Sequence, residues 1–348
     1  MPASKPIRTA LCSFGMSGWV FHAPFIAINP GFELYGVWER TKNLAAEKYP
    51  GVKTFRSLEE LLADESVELV VVNTPNATHF EYAKKALEAG KHVVVEKPFT
   101  ITVAEAQLLS ELAVKRGRVL TVYQNRRFDS DFRTVRKVVE QGLLGQVVEA
   151  EIHYDRFKEE PGPKLHKETP GPGTGLLYDL GSHLIDQVLQ LFGMPEAVFA
   201  DIAVMRKLSK VDDYMEVLLY YPNLRVRVKS SYVVREATPS YAFHGTKGSF
   251  IKARTDIQET ALQANKKPGG SDWGIEPESE RGLLHTEKDG KIIREYVESE
   301  KGNYGDFYSL LYKSIREGEP LAVTPRQATD IIRIIEAAYE SNRSRRVV

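Results

Sequence analysis

The chain has little of what would place it in several familiar classes of protein. It has one cysteine, Cys12, which cannot form an internal disulfide and has no second cysteine with which to bind zinc. The 47 basic and 47 acidic side chains balance, so no net field favours nucleic acid or an anionic membrane as a partner. No apolar run reaches the roughly 18 residues of a membrane helix, and the N-terminus lacks a signal-peptide core. We therefore expect a cytoplasmic protein with Cys12 as a buried thiol.

What the chain does have is length and an ordinary globular composition. Its 348 residues, 42% of them hydrophobic, are enough for two domains. Before residue 125, helical patterns alternate with short apolar runs that predict strands at 7–13, 32–38, 69–73, 92–95 and 119–123. Capping-box patterns predict helix starts at 57–60, 78–81 and 102–105. Because strands that alternate with helices are typical of a doubly wound parallel sheet, residues 1–125 are expected to form an α/β domain.

After residue 125 the pattern changes and strands dominate. The runs with β-rich or alternating character are 147–154, 197–204, 214–221, 225–233 and 241–245. Helical patterns cover 133–142, 179–192, 304–318 and 325–344, while 158–174 and 265–280 have the composition of loops. Runs of strands with a few helices indicate an antiparallel sheet, so residues 126–348 are predicted to form an α+β domain.

The first strand runs into a glycine-containing loop that fits the dinucleotide fingerprint G-x-G-x-x-G, with serine in the first glycine position. Gly15 would let the backbone approach a pyrophosphate, and Gly18 would allow close packing of the helix on the strand. The phosphates would then lie at the N-terminus of the following helix. A plain glycine-rich turn is the alternative. The candidate phosphate-binding residues are Ser13, Phe14, Gly15, Met16, Ser17 and Gly18.

The end of the second strand bears on the choice between NAD and NADP. Glu39 lies 21 residues after Gly18, where an acid accepts hydrogen bonds from the adenosine ribose and repels a 2′-phosphate. Arg40 and Lys42 have the opposite effect, since either could pair with that phosphate. The sequence therefore slightly favours NAD and leaves NADP open.

Residues 92–99, His-Val-Val-Val-Glu-Lys-Pro-Phe, are the most informative stretch of the chain. The short apolar run predicts a buried parallel strand, which puts Lys97 at the carboxyl end where open α/β sheets bind ligands. Burial disfavours the charged form of a lysine, so a buried lysine at this place indicates a functional role. A strand-end lysine that points into solvent is the alternative. Other candidates for contact with the cofactor at this edge are Asn73, Thr74, Pro75, Asn76, His79, Glu96 and Lys97 itself.

A second constellation lies on the helix predicted at 179–192. Asp179 and His183 are four positions apart, so they share one helix face and can meet one substrate. Histidine serves as a general acid or base at neutral pH, and a carboxylate one turn away can raise its pKa. An ordinary hydrogen-bonded pair is the alternative, and with no third ligand at helical spacing we predict no metal site. Candidates to shape a substrate pocket, any of which could instead be a solvated cation or a sheet-face aromatic, are Arg126, Arg127, Tyr154, Arg156 and Lys158.

Together these motifs resemble the Gfo/Idh/MocA oxidoreductases, the family of glucose–fructose oxidoreductase and inositol dehydrogenase. The resemblance is carried by the degenerate fingerprint, by TPNATH at 74–79, by EAGKHVVVEKP at 88–98 and by DLGSHLID at 179–186. FHAPF at 21–25, YQNRRFDSDF at 123–132 and HGTKGSF at 244–250 are similar to the subgroup that contains scyllo-inositol dehydrogenases. Serine at position 13 departs from the family pattern.

The resemblance implies a Rossmann domain joined to a domain with a large open sheet, with the active site between them. It implies that Lys97 is the catalytic lysine, Asp179 the active-site aspartate and His183 the histidine that transfers the proton. Family members commonly form homodimers or homotetramers through the open sheet. The subgroup often uses NADP.

The expected activity is reversible hydride transfer between NAD(P) and a secondary alcohol of a cyclic polyol or sugar, of inositol or pyranose type. Two alternatives use the same scaffold. One is an NAD(P)-sensing regulatory protein without catalysis, which would be expected to lack the lysine or the histidine. The other is an NAD-dependent glycosidase, which would release free sugar without net turnover of the cofactor.

Overall fold

A computed structural model describes residues 5–255 and 257–348, with the exception of the side chains of residues 165 and 166. The chain forms two compact units. The first comprises the residues up to Asn125 together with Gln258–Trp273 and Asn303–Thr329, and the second comprises Arg126–Ile257, Gly274–Gly302 and Asp330–Val348. The division into domains at 1–125 and 126–348 stays a prediction. The structure adds that two later segments fold with the first unit.

The first unit is built on a parallel sheet whose strands are β1 Ile7–Leu11, β2 Phe32–Trp38, β3 Lys53–Phe55, β4 Leu69–Val72, β5 His92–Glu96 and β6 Leu120–Tyr123. Their order is β3-β2-β1-β4-β5-β6, with every neighbouring pair parallel. Strand β4 is buried throughout, and so are Val93, Val94 and Val95 of β5, which explains why neither run alternates. The chain order reverses between β1 and β4, and this is the point at which such sheets bind ligands.

The second unit is built on a sheet whose strands are β7 Val147–His153, β8 Ala197–Ala203, β9 Tyr214–Tyr221, β10 Leu224–Ser231, β11 Tyr241–Gly245, β12 Gly248–Lys252, β13 Gly282–Lys288 and β14 Lys291–Val297. Their order is β14-β13-β12-β11-β7-β10-β9-β8. The pair β7 and β10 is parallel, and the other neighbours are antiparallel. In β9 the buried residues Met215, Val217 and Leu219 alternate with half-buried ones, as expected of a sheet with one covered face. The predicted fold class, a Rossmann-like unit plus a mostly antiparallel α+β unit, is confirmed. Homo-oligomerisation through this sheet stays a prediction.

The α-helices are α1 Ala23–Ile28, α2 Leu44–Lys48, α3 Leu58–Ala63, α4 His79–Glu88, α5 Val103–Arg116, α6 Ser130–Glu140, α7 Leu165–Glu168, α8 Ser182–Phe192, α9 Ile257–Gln263, α10 Gly305–Glu317 and α11 Pro325–Ser344. The capping box predicted at 102–105 is complete, with Thr102 and Glu105 exchanging hydrogen bonds. At 57–60 only half of the predicted box forms: the Ser57 side chain accepts the Glu60 N–H at 3.0 Å, but the Glu60 carboxylate accepts the N–H of Arg56. The box predicted at 78–81 is wrong, because the Thr78 side chain caps no helical N–H and bonds within its own loop.

Cys12 is buried, and burial raises the pKa of its thiol to about 12. The prediction of a buried structural thiol is confirmed, since a thiol with so high a pKa is almost entirely protonated and unreactive at neutral pH. Among the helices in the part of the chain that the structure describes, none combines the length and apolar character needed to cross a membrane. The cytoplasmic setting stays a prediction.

Candidate active site

The fingerprint loop connects β1 to a helix that begins at Ser17. Its first segment, Ser17–His22, is π-helical, and α1 continues it. Ser13, in the position of the first glycine, uses its hydroxyl to accept the Gly15 N–H at 3.0 Å and so closes the turn. Its carbonyl accepts a hydrogen bond from the Asn73 side chain at 2.8 Å, which ties the loop to the end of β4. The departure from glycine at position 13 therefore leaves the turn intact.

Two features of this loop fit a bound dinucleotide. A Cβ atom on Gly18 would collide with the Ser13 carbonyl oxygen and would lie 3.0 Å from the Asn73 side-chain nitrogen, so the close helix–strand approach requires glycine. The side-chain oxygen of Asn73 is buried and has no hydrogen-bond partner among the described residues, as expected of a group that receives one from a ligand. Ser13, Gly15, Ser17, Gly18 and Asn73 would hold the group.

We expect Gly18→Ala to weaken NAD(P)H binding by about tenfold or more, which corresponds to roughly 1.4 kcal/mol of lost binding energy. The added methyl group would push the helix away from Ser13 and widen the cradle. Fluorescence titration with reduced cofactor measures the effect, and thermal denaturation checks that the variant folds. Gly171→Ala is a matched control, because its Cβ would approach no atom more closely than 4.0 Å. Unchanged affinity in Gly18→Ala would contradict the assignment of this loop.

At the end of β2, the Glu39 carboxylate is engaged by the protein itself. It accepts the backbone N–H groups of Leu44 at 3.2 Å and Ala45 at 2.9 Å, and so caps α2. Glu39 is buried, whereas Arg40 and Lys42 are exposed. Arg40 makes no ion pair with any residue that the structure describes. The acid that favoured NAD in the sequence therefore has a capping role, and the neighbouring cations are available.

The loop after β4 is held by His79. Its Nδ1 lies 2.8 Å from the Pro98 carbonyl oxygen and its Nε2 lies 2.9 Å from that of Thr74. Burial lowers the pKa of His79, against the effect of these two hydrogen bonds. The imidazole thus joins the segment that carries Thr74, Pro75 and Asn76 to the segment that follows Lys97. The predicted contact of His79 with a cofactor stays a prediction, but its side chain has a clear structural role.

Lys97 follows β5 directly and is half-buried, and the Lys97–Pro98 peptide bond is cis. Beside it, the Glu96 carboxylate accepts the Ser17 hydroxyl at 2.5 Å and lies 2.9 Å from His22 Nε2. Although burial opposes the charge, the hydrogen bonds from His22 and Ser17 and the charges of His22 and Lys97 lower the pKa of Glu96 to about 2. An ionised carboxylate therefore stands beside Lys97 and is bonded to the first turn after the fingerprint loop.

The orientation of His22 follows from its second contact. Its Nδ1 lies 2.6 Å from the Tyr308 hydroxyl, and burial together with the Glu96 charge raises the pKa of Tyr308 well above its usual range. A carboxylate oxygen only accepts hydrogen bonds, so His22 Nε2 donates to Glu96. Ser17 and His22, from one helical segment, and Tyr308, from α10, thus hold the carboxylate next to Lys97. Sequence reasoning gave His22 no chemical role.

In the second unit, Asp179 lies in a π-helical turn, Leu177–Gly181, which continues into α8, the helix that carries His183. Side chains four positions apart lie near one face in a π-helix as well, and the shared face of Asp179 and His183 stays a prediction. The turn is fixed by Asp212, whose carboxylate accepts the Leu177 N–H at 3.0 Å. Gly175 has φ +99°, and a Cβ there would collide with the Asp212 carboxylate, so only glycine fits.

Asp179 is half-buried and pairs with Lys167 at 2.9 Å, while His183 is buried. Lys167 comes from α7, inside the segment predicted to be a loop, and sequence reasoning gave no signal for this pair. Tyr232 also belongs to this neighbourhood, because burial and the negative charge of Asp179 raise the pKa of its hydroxyl. The structure therefore surrounds Asp179 with a cation and a neutral phenol.

The five candidates for a substrate pocket differ in their surroundings. Arg127 forms a two-pronged ion pair with the buried Asp186, with N–O distances of 2.6 and 2.9 Å, so its charge is neutralised within the protein. Arg126 pairs with Asp129 at 3.2 Å. Arg156 and Tyr154 are joined by a hydrogen bond of 3.0 Å. Exposed Lys158 follows two positions later.

Comparison with known proteins gives the family. Residues 7–124 match the model of an oxidoreductase family with an NAD-binding Rossmann fold, and residues 136–348 match that family's C-terminal alpha/beta domain. The chain is 37% identical over 342 residues to scyllo-inositol 2-dehydrogenase (NADP(+)) IolW of Bacillus subtilis, covering 98% of this chain and 95% of the relative. A crystal structure from Bacteroides fragilis has a TM-score of 0.91 and 50% identity and covers 99% of both chains. A crystal structure of an oxidoreductase from Bacillus cereus has a TM-score of 0.90 and 35% identity and covers 98% of both chains. With its N-terminal NAD-binding Rossmann unit, the chain belongs to the Gfo/Idh/MocA family of oxidoreductases.

Proposed function

We propose that this oxidoreductase is an NAD(P)-dependent dehydrogenase acting on a secondary alcohol of a cyclic polyol or sugar, of inositol or pyranose type. The observation that carries the proposal is the link between the fingerprint loop and Lys97. Glu96, next to Lys97 in sequence, accepts the hydroxyl of Ser17, the first residue of the helix that follows the loop. A cofactor held by this loop would therefore lie at the sheet edge that carries Lys97. The similarity to an inositol dehydrogenase supports the substrate class.

The bound nicotinamide cofactor would supply the acceptor or donor of the hydride. Within the protein, Lys97 Nζ would stabilise the negative charge that develops on the substrate oxygen in the oxidation direction. The ionised Glu96 beside it favours the charged form of the lysine. His22 and Tyr308 keep that carboxylate in place.

Asp179 and His183 would handle the substrate hydroxyl groups and the proton. An imidazole nitrogen of His183 would take the proton of the reacting hydroxyl in oxidation and return it in reduction. The Asp179 carboxylate would accept a hydrogen bond from the neighbouring hydroxyl and so orient the ring. The Lys167 ammonium pairs with the same carboxylate and helps to fix its position.

The function is tested with purified protein and a panel of inositols, aldoses and lactones, each offered with NAD(P) or NAD(P)H. We expect the absorbance of the reduced cofactor to change with at least one cyclic polyol or pyranose. No reaction with any member of the panel and either cofactor would overturn the proposal. Release of free sugar from a glycoside without net change in reduced cofactor would identify a glycosidase instead.

We further propose that NADP is preferred to NAD, in contrast to the slight preference for NAD that the sequence indicates. The sequence argument rests on Glu39, and in the structure this carboxylate is buried and caps α2. Arg40 is exposed and makes no ion pair with any described residue, so it can pair with a 2′-phosphate. The relative from Bacillus subtilis carries NADP(+) in its name, which supports the same choice.

Arg40→Ala is expected to raise KM for NADP by about tenfold or more, the effect of removing one charge-assisted contact of roughly 1.5 to 3 kcal/mol. KM for NAD should change much less, because NAD lacks the phosphate. Steady-state kinetics with both cofactors measures the ratio, and Arg116→Ala, at an exposed position of α5 in the same unit, is the control. An equal change in KM for NADP and for NAD would show that Arg40 does not bind the 2′-phosphate.

A further inference from the structure

Two arginines of the second unit surround one buried tyrosine without reaching a carboxylate. The Arg254 guanidinium carbon lies 4.6 Å from the centre of the Tyr154 ring, and that of Arg156 lies 4.8 Å from it. Arg156 also donates to the Tyr154 hydroxyl at 3.0 Å. Among the described residues, neither arginine forms an ion pair. Aromatic faces and a phenol oxygen offset only part of the cost of partly burying a guanidinium.

Other buried arginines of the same unit are neutralised. Arg127 is held by both carboxylate oxygens of Asp186, and Arg206 pairs with Asp213 at 2.8 Å and with Glu168 at 3.1 Å. The second unit therefore supplies carboxylates to arginines whose role is structural. The arginines beside Tyr154 stand apart from this pattern.

Arg254 has a hydrogen-bond donor for which the described residues provide no acceptor. One of its terminal nitrogens donates to the Gln187 side-chain oxygen at 3.3 Å, and the other is buried with no partner among the described residues. The charge of Asp131 acts on Arg254, but its carboxylate accepts the backbone N–H of Thr255 and that of its neighbour Phe132 rather than the guanidinium. A buried donor without an acceptor is costly unless a ligand supplies one.

A third cation, Lys158, has no carboxylate partner among the described residues and lies near Asp179. Lys158 forms no ion pair in the described part of the chain and lies 5.4 Å from the centre of the Tyr232 ring. Desolvation by neighbouring protein atoms and the nearby charge of Arg156 lower the pKa of Lys158, against the opposing effect of Asp179. Since Asp179 pairs with Lys167 and Glu168 pairs with Arg206, the nearby carboxylates already have cations of their own.

We propose that the substrate carries an anionic group, a carboxylate or a phosphate on the polyol or sugar, and that Arg156 and Lys158 bind it. Arg254 adds positive charge at the same Tyr154 ring. An oxyanion would supply the counter-charge that Arg156 and Lys158 lack among the described residues, and the planar guanidinium of Arg156 suits two-pronged binding of either group. The inference rests on the proposed dehydrogenase function and narrows its substrate class.

The test compares matched substrates that share a ring and differ in charge. D-glucose is the neutral member, D-glucuronate carries the carboxylate and D-glucose 6-phosphate carries the phosphate. We expect kcat/KM for one anionic sugar to exceed that for glucose by at least about tenfold, the value of one charge-assisted contact. In Arg156→Gln this preference should fall by a similar factor, whereas Arg294→Gln, at an exposed position of β14 in the same unit, should keep it. Arg156→Lys should restore part of it.

The outcomes separate this inference from the proposed function. Turnover of neutral sugars without preference for either anionic one, or an equal loss on all three in Arg156→Gln, would overturn the inference and leave the dehydrogenase in place. Absence of turnover with every sugar would count against the function. Calorimetric titration with glucuronate and with inorganic phosphate then decides the anion site independently. Binding that Arg156→Gln abolishes supports the site, and absence of binding overturns it.

Discussion

Replacing Lys97 with alanine is expected to lower kcat by about a thousandfold, within the range for the loss of a group that handles charge or a proton in the transition state. The variant removes the cation at the end of β5 but leaves Ser17, His22 and Glu96 in contact around it. Cofactor affinity should therefore remain close to that of the parent protein. Stopped-flow measurement of hydride transfer and fluorescence titration of the reduced cofactor separate the two quantities.

The matched control is Lys115→Ala, which removes an exposed lysine from α5 in the same unit. It should leave kcat within a factor of two or so, as expected of surface substitutions. If Lys97→Ala kept most of its activity, the catalytic assignment would be wrong. If it lost activity and cofactor binding together, Lys97 would instead serve mainly to hold the cofactor.

Replacing Lys252 with methionine is expected to destabilise the second unit by about 3 to 5 kcal/mol, the usual result of removing one partner of a buried ion pair. Lys252 and Glu276 are paired at 2.5 Å, and both side chains are completely buried. The lysine also donates to the Glu280 carbonyl oxygen at 2.7 Å. Without it, Glu276 would keep the Ser299 hydroxyl as a donor but would lose its counter-charge in a place that water does not reach. Urea denaturation followed by circular dichroism measures the change in unfolding free energy.

A second substitution distinguishes the lost counter-charge from lost packing. Lys252→Met combined with Glu276→Leu removes both charges and should recover most of the stability, because apolar replacements of a buried pair are often neutral. Lys288→Met, on an exposed position of β13, is the control and should change stability by roughly 0.5 kcal/mol or less. A small effect of Lys252→Met alone would show that water or rearrangement solvates Glu276.

Much of the fold was predictable because its strands carry local signals. Buried strands β4 and β5 appear as continuous apolar runs, and β10 begins as an alternation of apolar and basic residues. The missed strand β3 has only three residues and lies at the sheet edge, so it has little pattern to show. Strand β14 is exposed along most of its length and therefore does not alternate. The Asp289–Gly290 pair between β13 and β14 is the sequence signal that identifies this hairpin. In the structure both residues have positive φ, +52° and +73°, as a two-residue hairpin turn requires.

The candidate site was predictable as a set of motifs but not as an arrangement of contacts. Lys97, Asp179 and His183 follow from family resemblance, and their catalytic roles stay predictions. Both motif-bearing helices begin with a π-helical segment, and nothing in their composition indicated this. The hydrogen bonds from Ser17 and His22 to Glu96 join residues more than 70 positions apart. The periodicity of apolar residues predicts only local structure, so it cannot predict such contacts.

The sequence by itself determined the fold class and the family, because both depend on short-range patterns of apolar residues, glycines and capping groups. Only the tertiary structure decided which charged side chains have partners inside the protein. Arg127 is neutralised by Asp186, 59 positions away, and Glu39 is engaged by the start of α2, whereas Arg156 and Arg254 reach no carboxylate among the described residues. Charge pairing depends on distance in space, and a chain that folds back on itself sets that distance without regard to separation in sequence.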